Sequence, residues 1–118
     1  MVEGLHRVVV TGLGAITPIG NSIQEYWDGL TSGRNGVAPI TIFDASKHAC
    51  RFAAEVKSFD PTGFLEPKES KRWDRFSKFG VIAAKQALAD SGLIVDESNA
   101  PRIGVIIGSG VGGLLTME

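Results

Sequence analysis

The sequence predicts an α/β fold, and two observations carry that prediction. Residues 7–11 (RVVVT) and 102–107 (RIGVII) are short runs, rich in Val and Ile, without polar alternation. That is the pattern of strands buried on both faces of a covered sheet. Each run exits into glycine, at Gly12 and Gly108, and two helical stretches lie between them. Strands buried on both sides need helices on both faces of the sheet, and two helices are too few. Residues 1–118 therefore read as one N-terminal portion of a larger unit, left incomplete at a glycine-rich strand exit, where functional loops gather in α/β folds.

The elements follow in order. Val8, Val9 and Val10 make the first expected strand, and Pro18 and Gly20 keep the next segment irregular. Ser22-Ile-Gln-Glu25 has capping-box spacing, in which the serine caps the first helical turn and the glutamate reaches back. Ile23, Tyr26, Trp27 and Leu30 repeat at helical spacing, and Gly33 supplies the stop. Residues 40–43 and 52–56 read as short strands or extended loop, with a turn at Asp60-Pro-Thr-Gly63. The clearest element is a helix over residues 70–91. Trp73, Phe76, Gly80, Ala83, Ala87 and Leu88 form its apolar stripe, and Gly92 ends it. The second doubly buried strand then leads into Gly108-Ser-Gly-Val-Gly-Gly113.

Composition narrows the function classes. A net charge of −1 gives no global case for nucleic acid or an anionic membrane, so any basic site must be local. The start lacks the pattern of a signal peptide, and no apolar run approaches the roughly 18 residues of a membrane span. The single cysteine, Cys50, cannot form an internal disulfide, which suits a cytoplasmic setting or a processed organelle protein.

The opening glycines approach a dinucleotide fingerprint but depart from it. Gly12-Leu-Gly14-Ala-Ile-Thr17 places threonine where a third small residue belongs, and Pro18 follows. The helix begins near Ile23, too late to present its N-terminus to a pyrophosphate. A tight structural turn is the better reading. Gly108 to Gly113 lacks the Lys-Ser/Thr of a phosphate loop, so close approach of a backbone or ligand explains its glycines better. Cys50 and His48 would point to opposite faces of an extended chain, so they do not read as a catalytic pair. His6 and His48 lack a second ligand at metal spacing. Lys68, Lys71, Arg72 and Arg75 are interleaved with Glu69 and Asp74 around the expected helix start. They read either as a solvated face or as a site for an acidic partner. Cations at a helix N-terminus oppose its dipole, and a negative partner would offset that.

Taken together, RVVVTGLGAITPIGN, FDASKHACRFAAEVKSFDP and RIGVIIGSGVGG resemble the N-terminal region of β-ketoacyl-acyl-carrier-protein synthases, closest to the elongating type II. The resemblance runs along essentially the whole chain, in order and at matching spacing. It implies a thiolase-like fold, a duplicated α/β unit of mixed sheets layered with helices, in which the glycine turn is scaffold. It implies decarboxylative Claisen condensation in fatty-acid biosynthesis, without cofactor or metal, by a homodimer working with acyl- and malonyl-loaded acyl carrier protein. The nucleophilic cysteine and two histidines of the family match none of Cys50, His6 and His48 and are expected C-terminal to Glu118, so residues 1–118 alone should be inert. Lys68, Lys71 and Arg72 match the family's basic docking positions for the carrier protein. Val111 matches the residue that lines the acyl pocket and gates chain length. A non-catalytic partner similar to a chain-length factor is the rival within the fold, and a dinucleotide-binding module is the rival outside it.

Overall fold

Helix α1 (Ile23–Thr31) starts where its capping signal stands. Ser22 is extended, and its hydroxyl accepts from the Glu25 N–H at 3.2 Å. The Glu25 carboxylate reaches back one residue further than expected, accepting from the Asn21 N–H at 2.7 Å. The computed structural model describes residue 4 and residues 6–113. After Gly33, in the left-handed conformation at φ 67°, come strands β1 (Val37–Pro39) and β2 (Phe52–Ala54). They pair antiparallel, Val37 opposite Ala54 and Pro39 opposite Phe52. Pro39 fits because a two-stranded ribbon leaves an outer edge that needs no N–H. Residues 40–43 are not a strand. Their start is held instead by the Glu55 carboxylate, which accepts from the Thr41 hydroxyl at 2.6 Å and from the Thr41 and Ile42 N–H groups at 2.9 and 3.2 Å.

The long helix expected over 70–91 is two helices. Helix α2 (Pro67–Arg72) begins with proline at a position where a missing N–H costs nothing. Trp73 and Asp74 are both extended, and α3 (Arg75–Ser91) starts afresh. Arg75 pins that first turn. Its guanidinium donates to the Val56 carbonyl and lies 5.7 and 5.2 Å from the ring centres of Phe59 and Phe79, which meet edge-to-face at 4.8 Å. The break reverses the electrostatic reading for two cations of the basic cluster, while Lys68 and Arg75 stay in first turns. Lys71 and Arg72 occupy the last turn of α2, where the dipole favours cations. Gly92 closes α3 in the left-handed conformation, φ 65°.

Helix α3 is the hub of the arrangement. Its stripe of Phe76, Gly80, Ala83, Ala87 and Ser91 lies under two separate loops. A Cβ on Gly12 would come 2.2 Å from the Ala87 carbonyl oxygen, and one on Gly14 would come 1.9 Å from that of Ala83. Further along the helix, Gly80 faces Ile107 and Gly112 faces the Phe76 ring. The glycine turns that follow the two apolar runs are thus seated on the same helix face.

The two runs expected as doubly buried strands form no strand and are exposed. Val8 is 88% accessible, Val10 78%, Val105 78% and Ile106 99%. Arg102 belongs instead to a short 3-10 turn, Ala100–Arg102. A strand exists only through a hydrogen-bonded neighbour, and among the described residues β1 and β2 make the one sheet. Buried apolar residues among those described are Ala45, Leu65 and Ile82. The Cα radius of gyration of 17.9 Å exceeds the roughly 13.5 Å of a compact chain this long. These residues carry the pattern of a covered sheet without its covering layers.

Candidate functional site

Two surfaces hold the residues singled out by sequence. The first is α2. Lys68, Lys71 and Arg72 are all exposed there, and α2 contributes no buried side chain. A cleft of about 650 Å³ runs beside it, lined by Glu66, Glu69, Lys71 and Lys85 with Phe64 and Leu65. The surface is therefore mixed in sign, with Lys71 on α2 and Lys85 on α3 among Glu66 and Glu69. Lys85 is tied to the scaffold, because its ammonium donates to the Phe64 carbonyl.

The second surface lies between the N-terminal half of α3 and the glycine-rich loop. Val111 is 74% exposed. It lines a cleft of about 270 Å³ with Phe76, Phe79 and Gly112. A neighbouring cleft of about 420 Å³ uses the same two phenylalanines against Ile107, Gly108 and Ser109. Both are mostly apolar, with Asp74 and Arg75 also lining the smaller one, and at that one Gly112 lets the loop lie close to the helix.

The remaining candidates do not converge. Cys50 is exposed, and its thiol donates to the Phe52 carbonyl at 3.4 Å. His48 sets its ring edge-on to Phe43, 5.5 Å between centres. His6 is exposed on the opening run. Among the described residues no group of three or more His, Cys, Asp or Glu could hold a metal, and no helix is long and apolar enough to cross a membrane.

The opening glycine turn has a packing task. Two of the N–H groups a pyrophosphate would need are already engaged: Leu13 donates to the Asp90 carboxylate at 2.9 Å and Ala15 to the Gln86 amide oxygen at 3.1 Å. The Gln86 amide nitrogen also donates to the Asn21 carbonyl at 2.7 Å. Gln86 and Asp90 are the functional side chains that sequence reasoning missed. Their one local signal is four-residue spacing on a helix, which puts both on one side of α3.

The family model described as "Beta-ketoacyl synthase, N-terminal domain" matches residues 5–118. The 3-oxoacyl-[acyl-carrier-protein] synthase 2 of Synechocystis sp. is 62% identical over 95% of this chain, and that of Coxiella burnetii 49% over the same share. The chain spans 27% of the length of each of these curated relatives. Among solved structures, the ishigamide ketosynthase/chain length factor matches 73% of this chain and 21% of its own, at TM-score 0.65 and 37% identity. A beta-ketoacyl synthase from Burkholderia phymatum matches 82% of this chain and 24% of its own, at TM-score 0.64 and 32% identity.

Proposed function

The chain belongs to the β-ketoacyl synthase family, as its N-terminal domain, and from that premise we propose that it serves a 3-oxoacyl-acyl-carrier-protein synthase of the elongating type. Its fold is part of the layered α/β, thiolase-like fold of the ketosynthases. The observation that carries the reading is the 62% identity to a synthase 2 along nearly the whole chain.

In that reading the reaction joins two carbons to an acyl chain. A cysteine thiolate attacks the acyl thioester, releases the carrier thiol and becomes acylated. Malonyl-carrier then loses carbon dioxide, and the carbanion left behind attacks the new thioester, returning the cysteine. Two histidines donate to the oxygen on which negative charge develops. Residues 1–118 supply two other things. Lys68, Lys71 and Arg72 offer an acidic carrier protein three cations on a helix that can be approached from solvent. Val111 and the phenylalanines of α3 offer the acyl chain an apolar wall. The working form is a homodimer in the cytoplasm or a plastid stroma, and it needs no metal or cofactor. A chain-length-factor-like partner is the second reading, because a solved neighbour carries that name. A cysteine in an Ala-Cys-Ser/Thr context in the full-length protein decides for the enzyme.

The test is charge reversal. Lys68→Glu with Lys71→Glu, in the full-length protein, is expected to raise KM for carrier-bound substrates. Small thioesters lacking the carrier should react as before. The wild-type preference for carrier-bound substrate should shrink as salt rises, since complementary charge accelerates encounter and salt screens it. Equal losses on both substrate types would point to damaged folding, and no loss on either would return the cluster to ordinary solvated surface.

A further inference from the structure

We propose that Phe76 is a specificity-determining residue of this domain, a partition that fixes where Val111 stands and divides the apolar space beside it. The inference rests on the reading of Val111 as an acyl-pocket residue and goes one residue deeper.

The argument begins with the helix. Positions 76 and 80 are four apart, so they share one face of α3. The loop that carries Val111 crosses that face twice. At the upper crossing Gly80 meets Ile107, and an added Cβ there would sit 3.6 Å from the isoleucine, an ordinary contact. At the lower crossing Gly112 meets Phe76 much more closely. A Cβ on Gly112 would lie 2.6 Å from both Cε2 and Cζ of the ring and 2.9 Å from Cδ2. The ring therefore occupies the volume that any other residue at 112 would need, and Val111 is the next residue along.

The second observation is the position of the ring between the two clefts. Phe76 lines the 270 Å³ space beside Val111 and the 420 Å³ space beside Ile107. Phe79, which lines both as well, is held edge-on to Phe59 and under the Arg75 guanidinium. Among the described residues no ring or cation clamps Phe76 in this way, and it is 42% exposed. Its ring is thus the removable part of the shared wall. Removing it joins the clefts and lets Val111 settle toward the helix; pushing the loop off it lifts Val111 away.

The experiment measures kcat/KM in the full-length protein for carrier-bound acyl chains of increasing length. Phe76→Leu should shift the long-to-short ratio toward long chains by about tenfold, the order expected when a hydrophobic pocket changes by one or a few carbon atoms. Gly112→Ala should lower activity, most of all on long chains. The double variant should recover, because the smaller side chain at 76 makes room for the new methyl. Phe76→Met, close to leucine in volume but more pliable, answers the same question if the leucine variant does not fold. Val111→Phe is measured alongside. If it blocks long chains while the Phe76 variants change every chain length equally, the partition is wrong and the pocket stands. If Val111→Phe also acts equally on all lengths, the pocket reading itself is overturned.

Discussion

Gly14→Ala puts the scaffold role of the opening turn to a quantitative test. The new Cβ would sit 1.9 Å from the Ala83 carbonyl oxygen and 2.8 Å from the Ala87 nitrogen, where ordinary contact begins at 3.4 Å. Both obstacles are helix backbone, so no side chain can swing aside. The turn must retreat by roughly 1.5 Å, which forfeits the contacts on either side of it. A retreat of that size carries the Ala15 N–H beyond reach of Gln86, now 3.1 Å away, and strains the 2.9 Å bond from Leu13 to Asp90. Overpacking of this kind costs about 1–3 kcal/mol. Each lost hydrogen bond adds about 1 kcal/mol. The expected loss is therefore about 2–4 kcal/mol. The assay is urea unfolding followed by pulse proteolysis of the full-length protein. Gly63→Ala is the control: Gly63 has φ 85° and nothing within 4 Å of its would-be Cβ, so only backbone strain of about 1–2 kcal/mol applies. A Gly14 variant as stable as the Gly63 variant would refute the packing argument. A stable Gly14 variant that had lost affinity for a nicotinamide dinucleotide would favour the nucleotide reading instead.

Three further expectations are simpler to check. Cys50→Ala in the full-length protein should retain condensation and covalent labelling by a thiol-directed inhibitor; loss of the acyl-enzyme in that variant would make Cys50 the nucleophile. Glu55 is held below its ordinary value of 4.5, first by the Thr41 hydroxyl and then by backbone N–H donors. A depressed carboxylate contributes stability above its unfolded pKa and loses it as pH falls through the folded one. Glu55→Gln should thus be less stable than wild type at pH 7, with the gap closing in acid; a gap that widens in acid contradicts the assignment. Residues 1–118 expressed alone should aggregate or stay loosely packed, because Val8–Val10 and Val105–Ile107 leave apolar surface open. A monomeric, cooperative unfolding transition would contradict that expectation.

What the sequence made legible was local. The Ser22 cap and the Gly33 and Gly92 stops depend on neighbours a few residues away and stand as read, while the stripe keeps Phe76, Gly80, Ala83 and Ala87 but loses Trp73 to the break and leaves Leu88 exposed. The buried-strand readings failed for an opposite reason. Composition reports the surroundings a segment is suited to, and residues 8–10 and 105–107 do not have those surroundings among the described residues. The break at Trp73–Asp74 had a signal in Asp74, a residue type that favours helix starts, but the apolar stripe running through it masked that signal. Gln86 and Asp90 reach partners 71 and 77 residues away, a distance no spacing rule covers. Of the candidate site, the residue types and the glycine spacing were readable. The shared face of α3 that brings Phe76 under Gly112 was not.

The separation of α2 from α3 has a consequence for how such a protein can change over generations. Helix α2 commits no side chain to the interior, and two extended residues insulate it from the helix on which both loops rest. Substitutions on its outer face fall in the class that shifts stability by no more than about half a kcal/mol. A lineage can therefore rewrite the charge pattern of α2 to follow a drifting partner while Phe76, Gly112 and Val111 keep their places. On the roles proposed for α2 and for Val111, recognition and substrate length become separately heritable traits, divided at a two-residue joint.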